Sequence, residues 1–485
     1  MSLSRSDIKA TFPLEHKLFL VFASLIIVCG LISTLVYNPM PMVIPIGILY
    51  AYFCVQHPKG LFYLFFMILP FSVEVSLGSL GTDLPTEPMM ATMVGLALLY
   101  LITRGHTLDK RIITHPISLL FIVHIGWIAL TGLASTYPLI SFKYLLAKIW
   151  YVVPFYFFPL MIMKDRSEFE LIFRRMAPFI LLAILYVTVR HAGKGFSFAS
   201  SDFVVRPIFR NPVNYGIMLL VFIPYYVYLM KHQFKTWPLV RFMMLSALLI
   251  GIYFSYTRAA QMALVLAVIF YFIISWKLLK IAVLTALIAV LGLAAFLTVD
   301  SNYLNYSPDF EKTITHQKFD NLLEATSKLE DISTVERFYR WIAGAHMIKE
   351  KPITGFGPAT FYSNYRPYTV SSFETYVSDN PEKSGIHNNY MMVTVEQGVP
   401  GLVIMLCLTF IPLFIGERVY HLLSNPSDKG LLMAAMTCHF LISLTLFMNE
   451  LLEADKIGPF YFLSAAIICF FAIQYENAYK RKPTS

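Results

Sequence analysis

One histidine in this chain stands where proton-transfer chemistry could meet a membrane. His387 and Asn388 open a long apolar run that holds Gly398 and Gly401 in the spacing H-N-x9-G-x-x-G. An imidazole titrates near neutral pH, so His387 could take a proton from a substrate hydroxyl. Asn388 could orient one ring nitrogen through a hydrogen bond. The block predicts a general base at the mouth of a span, and a helix-cap role is the plainer alternative.

The same run contains a carboxylate in apolar surroundings. Glu396 lies among apolar neighbours, so we expect its side chain to be paired, in either a structural or a functional role. Gly398 and Gly401 would let helices pack closely below His387. These three residues are predicted to form a structural motif.

Several arginines could bind an anion. Arg258 lies in a turn of two or three residues between two apolar runs, with no acidic residue close to it in sequence. Arg337 and Arg340 are one helical turn apart or less, and either could instead pair with Glu336. Guanidinium forks suit phosphate oxygens. The set predicts a site for a phosphate-bearing substrate.

Other polar residues flank the predicted spans and are expected to bind substrate. Arg206 and Arg210 precede the eighth span, in a short outer loop of the kind that usually avoids basic charge. Asn214, at the start of that span, could contact sugar hydroxyls or cap the helix. Lys148 lies in the outer part of the sixth span.

The composition tells what kind of protein must position these residues. The chain is 57% hydrophobic and 14% charged, whereas a soluble domain carries about 25% charged residues. This excludes an ordinary soluble protein and predicts a polytopic membrane protein. All five cysteines fall in apolar runs without a C-x-x-C pair, so neither a disulfide framework nor a zinc site is expected. The net charge of +9 is explained by membrane topology rather than by nucleic acid.

The apolar runs predict an all-α fold with about 12–14 transmembrane helices. We expect about eleven spans in 1–299, a polar insert at 300–386, about three spans in 387–475 and a tail at 476–485. About fourteen runs approach the length that crosses a bilayer of about 30 Å. They lie near 17–36, 42–56, 60–80, 88–103, 116–136, 142–163, 175–192, 213–230, 240–256, 259–275, 278–299, 387–416, 430–449 and 457–475.

The distribution of Lys and Arg predicts the orientation. Most basic residues fall on one side if both termini are cytoplasmic, which places His387 and the insert outside. The insert is expected to form a small helical cap with a helix near 334–350 that begins at Ser333 or Thr334. Its predicted apolar face contains Phe338, Trp341, Ile342, Ala345 and Ile348.

Four stretches of the chain resemble the superfamily of O-antigen ligases and polymerases. They are the His387 block, Thr257-Arg258-Ala-Ala, Glu336-Arg337-x3-Trp341 running on to Gly355-Phe-Gly357, and Phe209-x-Asn-Pro-x-Asn214. The resemblance covers roughly 205–405. It implies glycan transfer from undecaprenyl diphosphate on the periplasmic face of a bacterial inner membrane, with His387, Arg258 and Arg337 in the catalytic roles. Family ligases usually have about twelve spans.

The resemblance leaves several functions open. An O-antigen ligase that transfers glycan to the lipid A core is preferred, and a polymerase or a protein O-glycosyltransferase remains an alternative. No D-x-D motif is present in the sequence, so we expect neither a metal nor another cofactor. A transporter or flippase is the opposing class, which predicts broken or charged helices near mid-membrane and internal repeats.

Overall fold

The computed structural model describes residues 14–77, 80–232, 238–299, 332–370, 378, 380 and 384–480. Parts of the expected insert (300–331) and of the expected tail (481–485) lie outside these residues. The helices are α1 (Leu14–Val36), α2 (Val43–Gln56), α3 (Pro58–Ile68), α4 (Thr86–Arg104), α5 (Arg111–Thr114), α6 (Pro116–Leu133), α7 (Pro138–Val152), α8 (Phe158–Ile162), α9 (Arg166–Ala192), α10 (Ser201–Val205), α11 (Pro212–His232), α12 (Pro238–Phe254), α13 (Arg258–Ser275), α14 (Leu279–Thr298), α15 (Ile332–Glu350), α16 (Phe361–Asn364), α17 (Asn389–Leu422), α18 (Pro426–Thr445) and α19 (Gly458–Lys480).

The predicted all-α membrane fold is confirmed. Among the described residues, nine helices are long and apolar enough to cross a membrane, and the pair Met40–Gln56 and Pro58–Phe71 would add a tenth if counted as one span. Two shorter apolar helices, Pro238–Phe254 and Leu279–Leu293, fall on two further predicted runs. The criterion of length and hydropathy therefore counts fewer spans than the expected 12–14, although each predicted run overlaps a helix.

One predicted run ends earlier than its apolar composition suggested. The run expected at 60–80 is helical only to Phe71, and a short antiparallel hairpin follows, formed by β1 (Val73–Leu77) and β2 (Leu80–Leu84). In its register Glu74 lies opposite Asp83. The alternation in Val-Glu-Val-Ser-Leu is the strand period, which the average hydropathy of the run concealed.

The helices pack into two compact units, residues 1–62 and 63–485. In the second unit, α19 is buried along almost its whole described length, from Phe460 to Ile473. It packs against α17, α18 and the π-helical segment Val153–Phe157. Since lipid tails are as apolar as the side chains, close van der Waals packing stabilises such helix contacts. By contrast, α14 exposes a row of Leu, Ile and Val side chains, as expected of a helix that faces lipid.

The described part of the insert forms a cap with an apolar cluster of its own. Tyr339, Ala343 and Met347 of α15 are buried together with Phe356 and Ile386. Of the predicted apolar face, Ile342 is buried in this cluster and Phe338, Trp341 and Ile348 pack against it, whereas Ala345 is exposed. The predicted start is also corrected, since Ser333 and Thr334 lie within α15 and neither is its N-cap. The cap packs against α17, the span that follows it.

Candidate active site

His387 lies directly before α17 in a left-handed backbone conformation, with φ +58°. A residue with a Cβ seldom adopts this conformation unless its surroundings hold it there. Asn388 is the N-cap of α17, and its side-chain oxygen accepts a hydrogen bond from the backbone N–H of Met391 at 3.0 Å. The cap fixes the start of the helix and thereby the position of the imidazole.

The cap helix α15 holds the backbone just before His387. Arg340 donates a hydrogen bond to the carbonyl of Gly385 at 3.0 Å, and the indole N–H of Trp341 donates to the carbonyl of Ile386 at 3.0 Å. Arg340 also forms an ion pair with Glu336 at 3.3 Å, with both side chains buried. The predicted pairing of Arg340 with Glu336 is therefore present alongside its contact with the His387 segment.

The electrostatics of His387 reflect burial and these arginines. Burial, followed by the charges of Arg337 and Arg340, lowers the pKa of His387 to about 4. Each effect disfavours the imidazolium, so the ring is neutral at physiological pH. The structure thus brings three of the predicted site residues together: His387, Arg337 and Arg340.

A carboxylate from the last loop approaches His387 from the other side. Glu450, in the loop 446–457 between α18 and α19, accepts a hydrogen bond from the backbone N–H of His387 at 2.6 Å. The pKa of Glu450 is raised to about 7, first by burial and then by the charge of Glu453, against hydrogen bonds and Arg340, which lower it. Glu450 was not among the residues predicted from the sequence.

The same loop provides the acidic partner of Lys148. The Lys148 ammonium, buried in α7, forms an ion pair with Glu453. Tyr144 donates to the same carboxylate at 2.9 Å, and the Tyr151 hydroxyl donates to the Glu453 carbonyl at 2.7 Å. Lys148 is thus paired with a protein carboxylate and reaches the His387 group through Glu453, three residues along the loop from Glu450. Both acids lie more than sixty residues beyond His387, and three acids in one short loop between spans were the sequence signal for them.

The other end of this loop contacts the residue that precedes the β-hairpin. The Lys456 ammonium donates to the carbonyl of Ser72 at 2.7 Å and forms an ion pair with Asp455 at 3.5 Å. Burial lowers the pKa of Lys456. Burial, together with Asp455 and other acids, raises the pKa of Asp83 to about 6. The loop 446–457 therefore joins the hairpin, α7 and the His387 segment.

The glycine pair of the motif marks a break in α17. Gly398 has φ +71° and ψ −178°, which interrupts the helix. A Cβ at Gly398 would lie 2.0 Å from the carbonyl oxygen of Ile353, so only glycine fits. At Gly401 a Cβ would lie 2.6 Å from the Cβ of Gln397 and 3.4 Å from Nε1 of Trp127. Gly398 thus permits the close approach of the backbone of Pro352 and Ile353, and Gly401 leaves room for the side chains of Gln397 and Trp127.

The segment 352–361 fills this break. The backbone N–H groups of Phe356 and Gly357 donate to the carbonyls of Val395 and Glu396 at 3.0 and 2.9 Å. The indole of Trp127 in α6 donates to the carbonyl of Gln397 at 2.9 Å. The carbonyls that a helix break would leave unpaired in the membrane are thus satisfied.

The side chain of Glu396 belongs to the same arrangement. Its two carboxylate oxygens accept hydrogen bonds from the backbone N–H groups of Ala359 and Phe361 at 2.8 and 3.1 Å. Glu396 is 3% exposed, which leaves it little access to a substrate. This geometry favours the structural alternative for Glu396.

Arg258 lies in a different part of the unit. It is the first residue of α13, after a turn of three residues that follows α12. The Thr257 hydroxyl donates to the carbonyl of Pro212 at 3.1 Å, which holds this turn on the start of α11. At that start, Asn211 rather than Asn214 provides the capping side chain, since its oxygen accepts from the Asn214 N–H at 2.9 Å. The turn thus places Arg258 near the first turn of α11, which carries Asn214.

The two loop arginines have acidic partners that the sequence did not indicate. Arg206 forms an ion pair with Asp202 at 2.9 Å, and Arg210 forms one with Glu74 of the hairpin at 2.9 Å. Both arginine side chains are more than half exposed, at 62% and 70%. Exposed pairs of this kind contribute about 0–1 kcal/mol, so a phosphate could displace the carboxylates.

A comparison with protein families matches residues 242–406 to the family described as O-antigen ligase. The matched stretch includes Arg258, Arg337, Arg340, His387 and both motif glycines. A comparison with curated proteins gives no match. In the part of the chain that the structure describes, no group of three or more His, Cys, Asp or Glu is placed to hold a metal ion. The predicted resemblance to the O-antigen ligase superfamily is confirmed: residues 242–406 of this multi-pass membrane protein match the O-antigen ligase family, which supports a glycosyltransferase-like enzyme of the O-antigen ligase and polymerase superfamily.

Proposed function

We propose that this protein transfers a glycan from undecaprenyl diphosphate to an acceptor hydroxyl at the His387 end of α17, without a metal ion. The acceptor hydroxyl attacks the anomeric carbon and the bond from that carbon to the diphosphate oxygen breaks. The acceptor proton passes to the imidazole of His387. The lipid diphosphate leaves with its negative charge stabilised by arginines.

The observation that carries this proposal is the position of the His387 segment, which is bonded to Arg340 on one side and to Glu450 on the other. Burial lowers the pKa of His387, and the positive charges of Arg337 and Arg340 lower it further. One arrangement thus offers a proton acceptor and guanidinium groups for an anionic leaving group. Arg258, at the start of α13 and near the first turn of α11, would bind the donor. This role rests on the family resemblance.

Among the functions of the superfamily we favour a ligase that uses the lipid A core as acceptor, in an inner membrane with the site on the periplasmic side. The family description of residues 242–406 as O-antigen ligase supports this choice. A polymerase or a protein O-glycosyltransferase would use the same donor chemistry. The acceptor separates the three functions, and the geometry around His387 is common to all of them.

The break in α17 is the observation that favours a transporter, since broken helices line transport sites. Here the freed carbonyls of Val395, Glu396 and Gln397 accept hydrogen bonds from the protein itself. Each of these three carbonyls is thus already bonded to a donor of the protein. The break therefore supports an anchoring role for the cap, and transfer remains the proposed function.

The test is a transfer assay with purified protein in detergent or liposomes. An undecaprenyl-diphosphate glycan is mixed with a lipid A core acceptor, with and without a chelator. We expect product in both conditions and a loss of roughly 100-fold or more in the His387→Ala and Arg337→Ala variants. Product that requires added divalent metal, or full turnover by His387→Ala, would contradict the proposal. Glu350→Ala, which removes an exposed cap carboxylate that binds only Tyr368 in the described contacts, is the matched control.

A further inference from the structure

The segment that ends at His387 is held from two sides by groups far apart in sequence. On one side are Arg340 and Trp341 of the cap helix, bonded to the carbonyls of residues 385 and 386. On the other side is Glu450, bonded to the N–H of His387. Building on the proposed function, we propose that Glu450 is a positioning residue that holds the His387 turn in its active geometry and does so in its ionised form.

The carboxylate of Glu450 packs closely against the backbone of the segment that ends at His387. A Cβ at Gly385 would lie 2.0 Å from Oε2 of Glu450 and 2.6 Å from its Cδ. The carboxylate thus rests against the backbone of residue 385 with one oxygen and accepts from residue 387 with the other. A glycine at 385 is what admits it.

The backbone of His387 needs this support because it is left-handed, with φ +58°. Such a conformation is unfavourable in a residue with a Cβ and persists only when its surroundings fix it. The 2.6 Å hydrogen bond to Glu450 satisfies the N–H in that conformation. Without the bond, the turn would relax and the imidazole would move relative to Arg337 and Arg340.

Ionisation of Glu450 gives the support a pH dependence. Several charged or titratable groups face Glu450: Arg340 on α15, Glu453 on its own loop, Glu396 on α17 and Tyr144 on α7. Burial and Glu453 raise its pKa to about 7, while the His387 N–H and Arg340 act in the opposite direction. The carboxylate is therefore ionised, and is the stronger acceptor, above about pH 7. His387 is already neutral there, since its pKa is lowered to about 4.

The experiment compares Glu450→Gln and Glu450→Ala with the unaltered protein in the transfer assay, as a function of pH. Glutamine keeps an oxygen that accepts the His387 N–H but does not titrate, whereas alanine removes the acceptor. We expect the unaltered protein to gain kcat as the pH rises through about 7 and the glutamine variant to lose that inflection while it keeps substantial turnover. The alanine variant should lose roughly 100-fold in kcat, the effect of misplacing a reacting group by about 1 Å, with little change in KM.

Each outcome decides the question. An alanine variant as active as the unaltered protein overturns the positioning role, and a glutamine variant as active as the unaltered protein above pH 7 overturns the need for the ionised form. If the glutamine variant keeps the inflection, another group titrates near pH 7, and the pH dependence proposed for Glu450 is wrong. His387→Ala in the same series separates this inference from the proposed function. If that variant still turns over, the transfer mechanism is wrong. If it is inactive while Glu450→Ala is fully active, only the role of Glu450 is wrong.

Discussion

The buried carboxylate of Glu396 accepts a hydrogen bond from the backbone N–H of Ala359 at 2.8 Å. With the second bond from Phe361, it satisfies two donors of the cap segment inside the membrane protein. We expect Glu396→Ala to lower the free energy of unfolding by about 2–3 kcal/mol, since it leaves buried backbone donors unpaired. Thermal unfolding in detergent measures this, with the exposed Glu350→Ala as control. Equal melting temperatures for the two variants would show that the cap does not depend on Glu396.

Gly398→Ala should be among the most damaging small substitutions in the chain. The backbone there has φ +71° and ψ −178°, a region that is almost restricted to glycine. The added Cβ would also meet the carbonyl of Ile353. We expect loss of monodisperse protein in size-exclusion chromatography. The control is Gly126→Ala in α6, where a Cβ meets nothing within 4 Å, so that variant should elute like the unaltered protein.

The ion pair of Lys148 and Glu453 should stabilise the folded protein, and a double substitution tests this. Removal of one partner of a buried ion pair leaves an unpaired charge and costs about 3–5 kcal/mol. Lys148 is buried while Glu453 is 28% exposed, so we expect Lys148→Met to cost about 3 kcal/mol or less. Lys148→Met with Glu453→Gln should recover part of this in unfolding measurements. If the double variant is stable but inactive, Lys148 also binds substrate.

Asp83 gives a pH-dependent prediction for stability. Its pKa in the folded protein is raised to about 6 from 3.8, so the folded state binds the proton more tightly than the unfolded state. Its contribution is most favourable below the unfolded pKa and is lost as the pH rises through about 6. Asp83→Asn should therefore raise the melting temperature at pH 7.5 and have little effect at pH 4. A destabilised variant at pH 7.5 would mean that the attraction between the charges of Asp83 and Lys456 outweighs burial.

Arg337→Lys separates charge from geometry at the proposed diphosphate site. Lysine keeps the positive charge beside His387 but loses the guanidinium fork that binds phosphate oxygens in pairs. We expect turnover between that of the unaltered protein and that of Arg337→Ala, with the larger loss in kcat because the leaving group is most charged in the transition state. Steady-state kinetics over donor concentration measure the split. Identical kinetics for the lysine and alanine variants would indicate that the fork, and not the charge, carries the effect.

The sequence predicted those features that depend on neighbours along the chain. The apolar runs located the helices, and the polar insert was expected to contain the cap helix. The H-N-x9-G-x-x-G spacing singled out His387, together with glycines whose backbone geometry now explains them. The turn before α13 was also predicted, because it lies between two adjacent apolar runs.

Features that depend on contacts between distant residues could not be predicted in this way. Glu450 and Glu453 acquire their roles from residues 63 and 305 positions away. The partners of Glu396 lie in an earlier segment, and neither local propensity nor periodicity encodes such a pairing. The acidic partners of Arg206 and Arg210 were missed for different reasons. Asp202 lies four residues before Arg206, a spacing that would have predicted the pair in a helix. Glu74 lies in a hairpin that the average hydropathy of its run did not reveal.

The insertion of residues 352–361 into the break of α17 has a consequence for how the chain is made. Synthesis runs from the N-terminus, so the inserting segment leaves the ribosome before the helix that receives it. Until the two meet, the broken helix carries unpaired carbonyls at a depth where each costs several kcal/mol. The receiving span can therefore reach its final form only after the preceding loop has been delivered to the same side of the bilayer. Folding of this span is thus coupled to translocation of the loop. If translocation of the loop were delayed, the span would keep unpaired carbonyls and could be recognised by membrane proteases.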